Sequence, residues 1–320
     1  MYLCSVLAKQ YTHMATGKTR NTHKETSFIA REESNIMNFL LQKMGGMTRN
    51  AIKALLAHRQ VQVNGQVVTH FMSPVKEGDK VTVVSGKGKK ELNHPKVRIV
   101  YEDDYLIVVD KKVGLLTVPT FAGSTETTCY SILRQYVRQA DPRAGVFVVH
   151  RLDRETSGLL VFAKSADLQE YMRTYWRQLV TKRTYIALAE GKPEPTEGKI
   201  TTWLTEDKRT TRVYSSDTDN GGKIAITNYK TLKTTAEDTY SLLELNLETG
   251  RTNQIRVHLA SRGCPVAGDR KYGSGKISPI DRLALHAQVL EFTHPVTEQK
   301  VHFETPVPKD FLRVFHEKKG

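Results

Sequence analysis

The segment VFVVHRLDRETSGLLVFAK, residues 146–164, places a strongly polar loop between two apolar runs. The runs VFVV (146–149) and LLVFAK (159–164) have the length and composition of buried strands. Folds tend to expose reactive side chains on short loops held by rigid strands. The loop HRLDRETSG, residues 150–158, is therefore the first candidate for a functional site.

Asp153 is the central acidic residue of this loop, with Arg151 and Arg154 close to it in sequence. Nearby cations favour the ionised form of a carboxyl group. An ionised aspartate in such a setting can act as a nucleophile or a general base. A salt-bridged structural turn is the alternative interpretation.

A second polar cluster lies in LETGRTNQIRVHLAS, residues 247–261, where Arg251, Arg256 and His258 interrupt an apolar stretch. The pattern fits either a strand or a helix. If residues 254–258 are extended, Gln254, Arg256 and His258 share a face. A buried arginine needs an anionic partner, for which Asp153 is a candidate. A surface strand with its own ion pairs is the alternative.

Tyr185 begins the apolar run of TKRTYIALAEG, residues 181–191, just after a basic pair. A tyrosine there can pack in the core or can stack on a base, as aromatic side chains do in RNA sites. Residues His258, His286 and His294 lack the spacing of a metal site, so we expect no metal.

The order of elements favours an α+β fold over a doubly wound sheet. Helices are predicted at 127–138 and 166–180. Further strands are predicted at 97–101, 105–110, 184–190, 224–232 and 240–247. Strands and helices do not alternate regularly, and residues 97–320 are expected to form one domain.

Residues 31–85 predict a separate small α/β module. A helix follows Ser34 and ends at Gly45-Gly46, and Thr48 caps a second helix that carries Arg49 and Lys53 on one face. Asn64-Gly65 predicts a tight hairpin. Residues 1–30 are expected to be a loose leader and residues 86–96 a flexible basic linker.

The charge is concentrated in this N-terminal part. Of the net charge of +14, the first 98 residues carry +10. A basic unit ahead of a nearly balanced body suggests a segment that binds a polyanion, with plain solubility as the alternative. The three cysteines show no Cys-x-x-Cys pairing, no apolar run reaches membrane-spanning length, and no signal peptide is expected. We therefore expect a cytoplasmic protein without a membrane partner.

Ordered motifs across about residues 97–310 resemble those of RluA-class pseudouridine synthases. These are YEDDYLIVVDKKVGLLTVP, HRLDRETSGLLVFAKS, KRTY, TGRTNQIRVHL, GDRKYG and RLALHA. The resemblance implies a mixed, largely antiparallel sheet and the isomerisation of uridine to pseudouridine in structured RNA. It also implies that no organic cofactor or metal is needed, and we expect a monomer.

The resemblance also implies roles for single residues. Asp153 matches the essential aspartate, Tyr185 the tyrosine that packs on the target base, and Arg256 the arginine that pairs with the aspartate. Arg151 matches an arginine that helps to displace the flipped nucleotide. Further substrate contacts are expected from Arg154, Arg251, Gln254 and His258. Asn253 stands where the family usually has histidine, and Lys112-Val113 stand where proline and alanine are common.

The N-terminal module resembles the small RNA-binding domain named after a ribosomal small-subunit protein. RNAIKALLAHRQVQVNGQVV and KEGDKVTV carry this similarity. It implies that Arg49, Lys53 and Arg59 contact RNA.

Large-subunit ribosomal RNA is the expected substrate, with tRNA as the alternative. A non-catalytic RNA-binding or ribosome-assembly factor would not require Asp153, Tyr185 and Arg256 together. A glycosidic hydrolase normally needs two carboxylates, and only one convincing candidate is present. The kinase-like His-Arg-x-Asp lacks the accompanying glycine-rich loop and Asp-Phe-Gly.

Overall fold

The computed structural model describes residues 24–57, 60–85, 92–121 and 123–316. The chain divides into two compact units. The described residues before Leu92 form the first unit together with Tyr136–Ala144. Leu92–Gln135 and the residues from Gly145 onward form the second.

The first unit combines two helices with a small antiparallel sheet. The helices are α1 (Ile36–Lys43) and α2 (Arg49–Ala57). The strands are β1 (Lys24–Ile29), β2 (Ser34–Asn35), β3 (Val61–Val63), β4 (Gln66–Val67), β5 (Pro74–Val75) and β6 (Lys80–Ser85). The sheet order is β1-β6-β3-β4, and β2 pairs separately with β5. Ile36, Leu40, Ile52 and Leu56 pack into the core of this unit.

The helix caps explain where both helices begin. The Asn35 side chain accepts a hydrogen bond from the Asn38 N–H at 2.9 Å, and Thr48 Oγ1 accepts one from the Ala51 N–H at 3.2 Å. Both satisfy N–H groups that the first helical turn leaves without a partner. The two predicted helices are present, and Asn64 and Gly65 adopt the positive φ angles of a tight hairpin, 52° and 81°.

Strand β1 shows that the prediction of a loose leader was wrong for residues 24–29. Residues 24–29 fall within the range predicted to be loose, yet they pair with β6 from Lys24↔Ser85 to Ile29↔Lys80. The segment KETSFI has too few apolar residues to signal a strand alone, and its order comes from pairing with the edge of β6. Residues 1–23, Arg59 and linker residues 86–91 lie outside the described residues.

The second unit is built on one large sheet. Its strands are β7 (Val97–Glu102), β8 (Leu106–Lys111), β9 (Phe147–Val148), β10 (Ser157–Ala163), β11 (Val180–Glu190), β12 (Glu197–Glu206), β13 (Val213–Ser216), β14 (Lys223–Thr234), β15 (Tyr240–Leu247), β16 (Leu285–Thr293) and β17 (Lys300–Glu304). The order is β13-β12-β14-β15-β11-β16-β10-β8-β7, with β17 beside β16 and β9 beside β10. The pair β10–β16 is parallel, and the other pairs in this sheet are antiparallel. The predicted α+β class with a mixed, largely antiparallel sheet is therefore confirmed.

Few helices accompany this sheet. They are α3 (Cys129–Arg138), α4 (Ala166–Thr174), α5 (Trp176–Leu179), α6 (Gln254–Ser261) and α7 (Lys309–Arg313). Ile255 and Leu259 of α6 and Phe311 of α7 pack on Ile186 of β11 and Leu243 of β15. The extended interpretation of residues 254–258 is therefore wrong. No helix in the described part of the chain has the length and apolar character needed to cross a membrane.

Candidate active site

The loop between β9 and β10 is fixed through its backbone. The Thr117 hydroxyl accepts a hydrogen bond from the Leu152 N–H at 3.2 Å and donates one to the Leu152 carbonyl at 2.8 Å. The Arg154 carbonyl accepts from the Gly114 N–H at 2.9 Å. Asp153 thus lies between two residues whose main chains are tied to the segment after β8.

A buried lysine forms a further hydrogen bond to the backbone of this loop. Lys111 is fully buried, and its Nζ donates to the carbonyls of Lys112 (3.1 Å), Leu115 (2.8 Å) and Arg154 (3.2 Å). Burial lowers the pKa of its ammonium group to about 8, although the charge of Asp153 opposes the shift. The three carbonyls use all three donors of this ammonium.

A chain of hydrogen bonds holds the far end of the loop. Arg282 Nη2 donates to Ser157 Oγ at 2.8 Å, and Ser157 Oγ lies 2.8 Å from His286 Nδ1. His286 Nε2 lies 2.9 Å from Thr305 Oγ1. Burial lowers the pKa of His286 to about 4, so the ring is neutral near pH 7. Thr305 Oγ1 donates its single hydrogen to the Gln288 carbonyl at 3.3 Å, so it accepts from Nε2–H of the ring, and Nδ1 accepts from the Ser157 hydroxyl.

Gly158 allows the close strand pairing that this arrangement needs. Its φ is +114°, and an added Cβ would lie 2.7 Å from the Ala287 carbonyl carbon. Ser157 and Gly158 pair in parallel register with His286 and Ala287. Only glycine fits this approach without moving β16.

Asp153 forms an ion pair with Arg256, as predicted. Arg256 Nη1 lies 3.3 Å from Asp153 Oδ2. The Asp153 side chain is 39% exposed, whereas that of Arg256 is 13% exposed. The carboxylate is therefore accessible while its cation is largely enclosed.

The main partner of Arg256 is Asp269, which the sequence had not suggested. Nε and Nη2 of Arg256 bind the two oxygens of Asp269 at 2.7 and 2.8 Å. The Asp269 side chain is completely buried. Burial opposes ionisation of both groups, but their mutual interaction lowers the pKa of Asp269 and raises that of Arg256. The bidentate pair fixes the orientation of the guanidinium that faces Asp153.

Asn253 supports the same arginine. Its Oδ1 accepts from Arg256 Nη1 at 3.1 Å, and its Nδ2 donates to the Tyr272 hydroxyl at 3.2 Å. The residue has a φ of +53°, which asparagine tolerates better than most residues. Asparagine in place of the usual histidine is thus accommodated in the fold.

Tyr185 lies on β11, opposite Leu245 of β15, and is partly buried. Burial raises the pKa of its hydroxyl, Arg183 opposes that shift, and the charge of Asp153 adds to it. The hydroxyl is therefore neutral near pH 7. Tyr185 pairs with Ala287 of β16, which in turn pairs with Gly158 at the end of the Asp153 loop.

Gln254 and His258, which were predicted to contact the substrate, are buried and bind other residues inside the protein. Gln254 and His258 are 3% and 0% exposed. The Gln254 amide binds Thr249, the Arg251 N–H, the Ile226 carbonyl and Thr227. The His258 nitrogens lie 2.8 Å from Thr227 Oγ1 and 3.0 Å from Thr202 Oγ1. The folded structure does not support a role in RNA contact for either residue, because their polar atoms are occupied.

The three remaining arginines differ in their availability. Both terminal nitrogens of Arg154 bind the Glu126 carboxylate at the surface. Arg251 Nε donates to the Ile224 carbonyl at 3.0 Å. Arg151 is exposed, and within the described residues it forms no ion pair or hydrogen bond through its side chain.

A cleft of about 970 Å³ reaches Arg256 and Asp269. Five further cations line it, namely Arg212, Arg270, Lys271, Lys276 and Arg282. Tyr214, which is 51% exposed, also lines this cleft. The carboxylates Glu155, Glu190 and Asp281 line it as well, so cations are in only modest excess.

Comparisons with known proteins agree with this geometry. The family model described as RNA pseudouridylate synthase matches residues 105–261, and the S4 domain matches residues 35–81. The RNA pseudouridine synthase YhcT of Bacillus subtilis is 36% identical over 82% of this chain and 86% of its own length. Ribosomal large subunit pseudouridine synthase D of Nitrosomonas europaea is 35% identical, over 85% of this chain and 80% of its own.

The chain belongs to the RluA-type RNA pseudouridine synthases. The solved structure of human RNA pseudouridylate synthase domain containing 4 has the same fold, with a TM-score of 0.54 and 24% identity. That similarity covers 67% of this synthase and 90% of the human chain.

The S4 domain of the synthase carries two of its expected RNA contacts at the surface. Arg49 and Lys53 on α2 are exposed. Lys53 Nζ lies 5.6 Å from the centre of the Phe71 ring, and Phe71 is 41% exposed. Within the described residues, Arg49 has no ion pair or hydrogen bond through its side chain, so its charge is available.

The synthase also contains site residues that the sequence analysis did not identify. Asp269 lies in the quoted motif GDRKYG and Arg282 in RLALHA, but neither had been given a role. Lys111 precedes the altered pair Lys112-Val113. Lys111 at the end of the apolar run LIVVDK and Arg282 beside the apolar residues of RLALHA could have signalled buried charges, whereas GDRKYG carries three charged residues and does not single out Asp269.

Proposed function

We propose that this synthase isomerises uridines of large-subunit ribosomal RNA, with Asp153 as the catalytic carboxylate. The observation that carries the proposal is the accessible Asp153 carboxylate, held 3.3 Å from the enclosed Arg256 guanidinium. The neighbouring Tyr185 supplies an aromatic surface for a base.

The reaction is an internal rearrangement. The bond between uracil N1 and the ribose C1′ breaks, the base rotates, and C5 then bonds to C1′ while the C5 proton is lost and N1 gains one. Asp153 begins this either by attacking C1′ or by removing the proton on the neighbouring ribose carbon. Both routes need an ionised and accessible carboxylate, which the pairing with Arg256 supports.

The target base must leave its stack before it reaches Asp153. Enzymes that act on a base within a helix extrude the nucleotide at a cost of a few kcal/mol. Arg151, exposed in the same loop, is the side chain best placed to occupy the vacated position. The aromatic face of Tyr185 offers stacking to the extruded uracil, which favours the flipped state.

The names of relatives support ribosomal RNA as the substrate. The Nitrosomonas europaea protein is named ribosomal large subunit pseudouridine synthase D, and so is a Vibrio cholerae relative with 34% identity. The basic S4 domain fits a role in docking on structured RNA, because phosphate contacts position a protein on its target. Transfer RNA is the alternative substrate.

Pseudouridine mapping tests the proposal. Total RNA is compared between cells that express the wild-type gene, cells that lack it, and cells that express Asp153→Asn. We expect at least one large-subunit position to lose pseudouridine in both the deletion and the variant. If pseudouridine were lost only from tRNA, then tRNA would be the substrate instead of ribosomal RNA. Full modification by Asp153→Asn would refute the catalytic role of Asp153.

A further inference from the structure

Arg183 is a partly buried arginine that has no counter-charge within ion-pair distance among the described residues. It lies on β11, two residues before Tyr185. Its Nη2 donates to the Leu247 carbonyl at 3.2 Å. Among the described residues this is its only hydrogen bond, and no carboxylate lies within ion-pair distance.

The charged neighbours of Arg183 increase the imbalance. Burial lowers the pKa of Arg183, Tyr185 opposes that shift, and repulsion from Arg177 adds to it. A guanidinium nevertheless stays protonated in proteins. His150 is neutral, because burial and the Arg183 charge lower its pKa to about 3. A cation that is enclosed without a partner is unfavourable unless a ligand supplies the negative charge.

The loop before α6 leaves room for this side chain. A Cβ added to Gly250 would lie 2.8 Å from Arg183 Nη1. The φ of Gly250 lies outside the positive range, so the backbone there accepts alanine. An alanine methyl group at this position would therefore displace the end of the Arg183 side chain and not the backbone. Nη1 and Nε of Arg183 keep unused donors.

The spacing between Arg183 and Tyr185 along β11 is comparable to the size of a nucleotide. Residues two apart on a strand are separated by about 6.6 Å. A base stacked on Tyr185 would therefore hold its own backbone phosphates within reach of Arg183. Tyr185 pairs with Ala287 of β16, and Ala287 pairs with Gly158 of β10, five residues after Asp153. The strand that carries Arg183 and Tyr185 is therefore separated from β10 by β16 alone.

We propose that Arg183 binds a backbone phosphate adjoining the flipped uridine, through the nitrogen donors that its fold leaves free. The inference rests on the proposed function. It adds a positioning contact that anchors the nucleotide by its backbone while the base rotates. A planar guanidinium suits a phosphate, since it can donate two parallel hydrogen bonds.

The test combines a protein variant with a change in the RNA. The substrate is a short RNA containing a uridine that the pseudouridine map identifies, either in ribosomal RNA or in tRNA. Single methylphosphonates, which are uncharged, replace the phosphate on the 5′ or the 3′ side of that uridine. Binding and single-turnover rates are measured for the wild-type enzyme, Arg183→Gln, Gly250→Ala and the control Arg173→Gln, an exposed arginine on α4.

We expect one of the two methylphosphonates to weaken binding to the wild type by roughly tenfold or more. Arg183→Gln should show a similar loss on unmodified RNA and no further loss with that methylphosphonate. Gly250→Ala should give the same pattern in weaker form, because the added methyl group displaces the guanidinium. Arg173→Gln should respond like the wild type.

The decisive case is Arg183→Gln acting on each methylphosphonate RNA. If its loss of affinity there equals the product of the losses from the two single changes, Arg183 does not bind these phosphates and the proposal is overturned. Should Arg183→Gln fail to fold, Gly250→Ala decides by the same comparison. Failure of the proposed function would look different, because the wild-type enzyme would then form no pseudouridine in ribosomal RNA. The phosphate comparison would still be made on the RNA that it modifies.

Discussion

The cations on α2 of the S4 domain and those around Asp153 in the second unit differ in how their charge is used. In the S4 domain, Arg49 and Lys53 are exposed on α2 and have no carboxylate partner within the described residues. In the catalytic unit, Lys111 and Arg256 are enclosed and use most of their donors on carbonyls, carboxylates or an amide. The first arrangement leaves charge available to a polyanion, and the second uses charge to fix a loop.

This difference predicts how each region responds to substitution. Exposed cations contribute individually and are screened by salt. Enclosed cations are coupled to their partners, so the removal of one leaves another charge buried without compensation. Single changes should therefore be severe around Asp153 and mild in the S4 domain.

The largest effect is expected from Gly158→Ala. The added Cβ meets the Ala287 backbone at a φ that only glycine adopts readily, so unfolding free energy should fall by about 3 kcal/mol or more. Thermal or urea unfolding measures this. Gly263→Ala is the matched control, because its φ is also positive (+73°) but no atom lies within 4 Å of the added Cβ. Equal losses for the two variants would show that the β10–β16 contact is not restrictive.

Arg256→Ala should rank next. It leaves the fully buried Asp269 carboxylate without its guanidinium, a type of loss that costs roughly 3–5 kcal/mol. Turnover should fall as well, because Asp153 loses its cation. Arg154→Ala removes a surface pair with Glu126 and should cost about 0–1 kcal/mol. Similar mild effects of both variants on melting and turnover would contradict a buried Arg256–Asp269 pair that supports Asp153.

Tyr185 sharpens the distinction between binding and chemistry. Tyr185→Phe keeps the ring, so RNA affinity should stay near wild type and any loss should lie in the chemical step. Tyr185→Ala removes stacking worth about 1–3 kcal/mol, or roughly fivefold to 150-fold in affinity. Binding constants and single-turnover rates separate the two contributions. Weaker binding by Tyr185→Phe at an unchanged chemical rate would argue against a base stacked on this ring.

The smallest effect on chemistry is expected from the S4 domain. Arg49→Glu with Lys53→Glu should weaken RNA binding and flatten its salt dependence by about 0.7–0.9 log units for each phosphate that the variant no longer neutralises. Turnover of a minimal RNA at saturation should not change. Lys76→Glu with Lys80→Glu makes the same charge change elsewhere in the unit, and it should flatten the slope less. An unchanged slope for the α2 variant would point to a role other than RNA capture.

Much of the fold was predictable because its signals are local. Caps such as Thr48, the Asn64-Gly65 turn and the apolar runs of β8 and β10 depend on a few adjacent residues. Strand β16 was missed because LHAQVLEFT is mostly buried and contains His286 and Gln288, so no alternation marks it. Strand β1 was missed because its order depends on pairing with β6, more than fifty residues away in sequence.

In the candidate site, too, features with local sequence signals were predicted and features that depend on distant contacts were missed. The pairing of Asp153 with Arg256 was suggested by the motifs and their resemblance and is seen in the structure, whereas the role of Tyr185 stays a prediction. Gln254 and His258 were misjudged because polar residues in a motif can serve the interior as readily as a ligand. Asp269 and Lys111 require contacts between distant segments, which the sequence does not reveal. Arg183 also could not be identified from the sequence, because only the folded structure shows that no carboxylate among the described residues lies near it.

The central claim is that Asp153 performs the chemistry while its surroundings hold it in place. The direct measurement is single-turnover formation of pseudouridine by Asp153→Asn, together with its RNA affinity and melting temperature. We expect no detectable product, near wild-type affinity and an unchanged fold, while Glu155→Gln, which alters the other carboxylate of the loop, keeps most of its turnover. Near-normal product formation by a well-folded Asp153→Asn enzyme would contradict the account.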